Sequence, residues 1–339
     1  MERLIRHYRA IMEPEGAGRD VAYQRDEHVG RQAADGHAFL PGTWFMAGHH
    51  HGGESVGKMW EAVREIWPEG TRLLRNHFFV GEDTIAIEWW SRNRVWNGNH
   101  CQNSGVGRLR FRGEEVIDHH EITDSEYFEE AHGAWRDHLD PELGRHLPRW
   151  HDRKPPFYPD PANNDWALDH SPTDGRAQAP AAMRERLERT LAWWAAPRAG
   201  ADDPFADTVD VFFQGRLWPL GGHHRGRAAL ERLREVVAVI WPEPPRMVRT
   251  NGWADESRVL VEWFRESRSF AGQDFRDGCF TVWDWDGDRV TAVRSYVDTS
   301  LHAELLAGWR DRVGERLGAA LPNWPEPPEP RYPDTEAHE

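Results

Sequence analysis

The chain has 339 residues, with 42 lysines and arginines against 57 aspartates and glutamates, for a formal net charge of −15. That balance, with no basic block of the kind that tracks phosphates, argues against nucleic acid and anionic membrane surfaces as partners. No run of 18 apolar residues occurs, and the opening MERLIRHYRAIMEPEG is charged and amphipathic without an apolar leader core, so a soluble, cytoplasmic protein is expected.

The first predicted element is a helix, Leu4 to Met12, where apolar residues recur at three- and four-residue spacing. GHAFLPGTWFM, Gly36 to Met46, reads as a short strand, and GHHHGG from Gly48 as a Gly/His loop. A second helix, Glu54 to Trp67, is stopped by Pro68, which cannot continue the backbone ladder. The period then changes from helical to alternating. RLLRNHFF, DTIAIEWWSRNRVW, CQNSGVGRLRF and EEVIDHHEITD read as four strands, with GEDT and RGEE supplying turns, and a helix begins near Glu126. Pro155 to Pro180, dense in Pro, Asp and Asn, has no apolar period and reads as a linker.

The same order then returns. IWPEGTRLLR from Ile66 is answered by IWPEPPRMVR from Ile240, and an ungapped offset of 174 also aligns Gly48 with Gly222, Trp44 with Trp218, Glu88-Trp89 with Glu262-Trp263 and Asp124 with Asp298. Helix Met183–Trp194, strand Thr208–Trp218, helix Ala228–Trp241, four strands and a helix near Ser300 repeat the first series. This is a tandem duplication, and two units of about 150 to 170 residues can each bury a core. The expected organisation is domain 1 over 1–152, a linker over 153–180, domain 2 over 181–325 and a tail over 326–339. Helix, strand, helix, then antiparallel meander makes each unit α+β. The two cysteines, Cys101 and Cys279, stand at different places in their repeats and suggest a reducing compartment.

The loop-Gly-helix opening at Gly52 and Gly226, the strands IEWW and VEWF, and the endings HHEITD and VRSYVD carry a resemblance. Each unit resembles the cone-shaped α+β barrel domain of the nuclear transport factor 2-like superfamily, in its SnoaL-like branch, which also includes ketosteroid isomerases and limonene epoxide hydrolases. The resemblance implies helices packed on a strongly curved, mainly antiparallel sheet. It also implies an apolar pocket worked by inward side chains of the last strands, with no cofactor. His119, Glu121 and Thr123 then point into the first pocket, and Val293, Ser295 and Val297 into the second.

Glu121 falls where such proteins place a general acid or base, since a carboxyl in a dry pocket exchanges protons nearer neutrality. Its alternative is a structural Glu hydrogen-bonded to a neighbouring histidine or tryptophan. His119 is its partner or itself an acid, and otherwise a wall residue. Asn103, with Asp277 as counterpart, orients a ligand oxygen or plays a hydrogen-bonded structural part. Asp124 and Asp298 are expected to cap the following helices, because both units keep them. Glu88, repeated as Glu262, makes a two-carboxylate site if inward and a solvent-facing strand residue if outward; the outward placement is preferred.

Trp44 and Trp90 are candidate walls around an apolar ligand, and His49 and His50 are placed at the pocket mouth. No metal is expected, because the adjacent His49, His50 and His51 cannot all point at one ion without distortion. The expected function is a cofactor-independent acid/base enzyme, a cyclase, isomerase, dehydratase or epoxide hydrolase acting on a small apolar metabolite. A non-catalytic binding protein and a scaffold assembling through its sheet face are the rivals. An intramolecular pseudo-dimer of the repeats is expected, with a homo-oligomer left open.

Overall fold

The computed structural model describes residues 31–151, 181–195, 203–243 and 245–326. The expected helix Leu4–Met12, the linker from Pro155 to Pro180 and the tail beyond 326 lie outside the described residues. The chain falls into two compact units, one built around the strands of residues 32–123 and the other around those of residues 205–297.

In the first unit β1 (Gln32–Leu40), β2 (Gly48–His51), α1 (Gly52–Ile66), β3 (Thr71–Val80), β4 (Thr84–Arg94), β5 (His100–Arg112) and β6 (Glu115–Thr123) precede the short helices α2 (Ser125–His132), α3 (Trp135–His138) and α4 (Pro141–Gly144). The second unit runs α5 (Ala181–Ala195), β7 (Phe205–Phe213), β8 (Gly222–Arg225), α6 (Arg227–Ile240), β9 (Arg246–Ala254), β10 (Arg258–Arg268), β11 (Asp274–Asp286), β12 (Arg289–Val297), α7 (Thr299–Leu305) and α8 (Trp309–Gly318). Each unit has one six-stranded sheet, ordered β2-β1-β6-β5-β4-β3 and β8-β7-β12-β11-β10-β9. Both are mixed, because β1 runs parallel to β6 and β7 parallel to β12, while β4, β5 and β6 form an antiparallel meander. The α+β class is as expected, but among the described residues each sheet is open, with β2 and β3 or β8 and β9 at its ends, and is not a closed barrel.

The structure corrects two local expectations. The predicted strand through Met46 stops at Leu40, and the one through Trp218 stops at Phe213; the chain then turns, and the buried indoles of Trp44 and Trp218 donate to the carbonyls of Pro41 and Gln214. The Gly/His loop is a strand: β2 pairs antiparallel with β1, setting His37 opposite His51 and Ala38 opposite His50. Positive φ angles at Gly52 (78°) and Gly226 (81°) turn the chain from that strand into its helix, a conformation that side chains with a Cβ resist. The 174-residue register also slips once. His37 pairs with Asp118, whereas Ala292, the counterpart of Asp118, pairs with Asp210, one residue before the Val211 that the offset assigns to His37. The turn before β8 holds one residue more than the turn before β2 and absorbs the difference.

Alternation assigns the sheet faces. Ala38, Leu40, Val95 and Cys101 pack in one apolar cluster with Val56, Met59, Val63 and Ile66 of α1, so their side of the sheet is the helix side. Asp124 and Asp298 cap α2 and α7 by accepting the N–H groups of Tyr127 and Leu301, each at 3.2 Å, as expected of an Asp kept in both units. Among the described residues no helix is long and apolar enough to cross a membrane.

Candidate functional site

The register places the predicted residues row by row. Glu121 on β6 lies opposite Gly107 on β5, which lies opposite Ile87 on β4; the row on one side is His119, Leu109 and Ile85, and on the other Thr123, Gly105 and Trp89. One row further, Asn103 faces Ser91. All these side chains share the helix side with Cys101, two residues before Asn103 along β5, because alternate strand residues point the same way.

Glu121 and His119 meet. Glu121 Oε2 lies 3.1 Å from His119 Nε2, with the carboxyl side chain 18% exposed and the imidazole 4%. Gly107 makes room for them, since a Cβ there would sit 3.3 Å from Glu121 Oε2 and 3.7 Å from His119 Nε2. At Gly105 a Cβ would fall 2.6 Å from the Trp89 ring, so the indole lies directly against bare backbone. Asn103 stands four residues along β5 from Gly107, about 13 Å at the usual rise per strand residue. It is therefore at the far end of the same sheet face and not beside the carboxylate.

That far end, together with Thr123 one row nearer the carboxylate, is polar and dry. Asn103, Ser91, Asn93 and Thr123 are at most 2% exposed. The Oδ1 of Asn103 accepts from the backbone N–H of Ser104, but among the described residues its Nδ2 has no hydrogen-bond partner, and neither do Ser91 Oγ, both amide atoms of Asn93 or Thr123 Oγ1. Buried polar atoms are normally bonded, so this unmatched group makes that end of the face a candidate position for a ligand's polar atoms.

The second unit has the same face filled. Ser91 is replaced by Arg265, Asn103 by Asp277, Gly105 by Cys279, Gly107 by Thr281, Leu109 by Trp283 and Glu121 by Ser295. Arg265 makes a two-pronged ion pair with Asp277 at 2.7 and 2.9 Å, and His302 donates to the same carboxylate at 2.7 Å. Burial alone would raise the Asp277 carboxyl; the Arg265 charge and the hydrogen bonds from His302 and Arg265 overcome it and hold it down to about 2. The Trp263 indole donates to Thr281 Oγ1, whose oxygen also contacts Ser295 Oγ at 3.2 Å. Ser91 Oγ and Asn103 Nδ2, unmatched in the first unit, thus belong to residues whose counterparts satisfy each other here, whereas Asn93 and Thr123 correspond to Ser267 and Val297.

The remaining candidates lie elsewhere. Glu88 pairs with Val106, which pairs with Ile122, so Glu88 and Trp90 belong to the opposite face from Glu121, and no two-carboxylate site forms. Nor is Glu88 the expected solvent-facing strand residue: Glu88 and Glu262 are fully buried, and Glu262 accepts from Asn251 at 2.7 Å. Trp44 is 1% exposed and packs edge-on against Phe45 and beside Phe128, a core residue. His50 is buried on the helix side in the row of Ala38 and His119, with Nε2 at 2.9 Å from the Met46 carbonyl, and burial drives its pKa down to about 4. His49 points to the other face. Ser91, Asn93, Gly105, Gly107 and Trp89 are absent from the sequence-based candidates; comparing the two repeats at alternate positions of the strands is the signal that exposes them.

No protein-family profile matches the chain, and no curated protein matches it. Solved structures similar to it include an NTF2-like protein of unknown function from Burkholderia pseudomallei, at 17% identity over 39% of this chain and 99% of that one, with a TM-score of 0.33. Another is an NTF2-like protein from Burkholderia xenovorans, at 27% identity over 37% and 98%, with a TM-score of 0.29. A protein of ketosteroid isomerase-like fold from Catenulispora acidiphila is 18% identical over 36% and 96%, with a TM-score of 0.29. Each is matched over nearly its whole length by a stretch shorter than one repeat.

Proposed function

We propose that the first unit is a small-molecule site in which Glu121, paired with His119, exchanges a proton with a largely apolar ligand held against Trp89 and Gly105. The observation that carries this reading is the contact itself: a carboxylate and an imidazole meeting over a glycine, at positions where the second unit has Ser295, Val293 and Thr281. A general base needs a proton acceptor within hydrogen-bond reach of substrate and a partner that steadies it. Glu121 is the more exposed of the pair and takes the proton; His119 Nε2 holds the carboxylate orientation. Asn103 and Ser91 receive a polar atom at the other end of the ligand, which sets its length at about 10 Å or more. The reaction class supported by such a site is an isomerisation, cyclisation, dehydration or epoxide opening that needs only proton transfer.

Glu121→Gln keeps the volume and removes the base. Turnover is expected to fall by about 10²–10⁴-fold with ligand affinity within a few-fold of the parent. A parent protein that binds ketones, epoxides or polyketide-like compounds but turns none of them over, with Glu121→Gln binding them equally well, would favour the non-catalytic binding protein.

A further inference from the structure

Strand alternation splits the run His49-His50-His51. His50 goes to the helix side, while His49 and His51 share the opposite face with His37, which pairs directly with His51 on β1. The histidines that converge are therefore not the three consecutive ones. One imidazole nitrogen from each of His37, His49 and His51 lies within 4.8 Å of the other two. His37 Nε2 is 2.9 Å from His49 Nδ1, and the His37 ring centroid is 4.9 Å from that of His51.

We propose that His37, His49 and His51 bind one divalent transition-metal ion of the zinc class, with the fourth position open to solvent beside the exposed His51. Imidazole suits zinc, nickel and copper, and three histidines plus an open position is a stable tetrahedral set. Zinc–nitrogen bonds of about 2.0–2.1 Å space tetrahedral donors about 3.4 Å apart, a small side-chain adjustment from the present separations. Behind the trio stands a buried carboxylate: Asp118 Oδ1 is 3.5 Å from His37 Nδ1, and Asp118 Oδ2 takes Arg108 at 2.6 Å. A carboxylate on the far nitrogen of a ligating imidazole fixes its tautomer and orientation. The second unit supplies the contrast. At the same pairing positions it has Asp210, His223 and Arg225, where His223 and Arg225 both contact Asp210, at 3.1 and 3.3 Å, and a built-in cation occupies the place of the ion.

This site lies on the other face of the sheet from Glu121 and stands or falls independently of the proton-transfer reading. The test uses the tag-free full chain, stripped with chelator and titrated with Co²⁺ while the visible absorption is followed, then with Zn²⁺ in competition. One equivalent is expected to saturate, with tetrahedral Co²⁺ bands displaced by Zn²⁺. His51→Ala, folded by circular dichroism, is expected to weaken binding by more than about tenfold, and His223→Ala to leave it unchanged. Non-saturating uptake, more than one equivalent of equal affinity, or equal affinity in His51→Ala would overturn the assignment.

Discussion

Arg265→Met is expected to destabilise the second unit by about 3–5 kcal/mol, the loss seen when one partner of a buried ion pair is removed. Arg265 is 6% exposed and Asp277 1%, and the guanidinium also lies over the rings of Trp241 and Trp263 at 4.2 and 5.0 Å. Deleting the cation leaves a carboxylate, whose ionised form is maintained chiefly by that charge, facing only His302 in a dry interior. The double variant Arg265→Met/Asp277→Asn removes both charges and is expected to recover at least half of the loss, since the cost lies in the uncompensated charge. Denaturant unfolding of the full chain measures both. A single variant within about 1 kcal/mol of the parent would mean that the pair is not what fills this face.

Acid is expected to unfold the protein well above the range in which surface carboxylates titrate, because several histidines are buried neutral. His132 is the plainest case. The Trp67 indole donates to its Nε2 at 2.8 Å, and its Nδ1–H donates to the Phe128 carbonyl, so both nitrogens of one neutral tautomer are used. Burial lowers its pKa to about 3, and lowers His50 and His224 to about 4. A folded-state value below the unfolded value of about 6.5 means that stability is complete above that pH and is lost as pH falls toward the folded value. At pH 5 each of the three costs about 2 kcal/mol relative to pH 7.5. Thermal midpoints between pH 7.5 and 5 are expected to drop steeply. His132→Leu, which installs the Leu306 of the second unit, is expected to be less stable at pH 7.5, through the unmatched Trp67 N–H, yet to flatten the acid slope. An unchanged slope would show that His132 is not buried neutral.

The fold is legible because it rests on patterns a sequence displays: a change of hydrophobic period after Pro68 and Pro242, and a second copy of the strands and helices between them. Glu121 and His119 are legible for the same reason, since alternation along EEVIDHHEITD puts them on one side. Their surroundings are not. Gly105, Gly107 and the small polar Ser91 and Asn103 give no pattern until they are compared with Cys279, Thr281, Arg265 and Asp277 in the other copy. Glu88 is on the expected face but buried, because alternation reports a side of the sheet and not what covers it. The histidine run reads as a loop because β2 is only four residues long, too short to show a period, and because the residue that completes the trio, His37, comes from the neighbouring strand.

The most direct test is a ¹H–¹⁵N spectrum of the parent and of Gly107→Thr, which copies Thr281, each titrated with small cyclic ketones and aromatic alcohols. A ligand site in the first unit requires shifts in the parent at Gly105, Gly107, Glu121 and Asn103, none at Cys279, Thr281 and Ser295, and their loss in a Gly107→Thr protein that remains folded. Shifts centred on β11 and β12 of the second unit, or shifts at the first site that persist in Gly107→Thr, would contradict it.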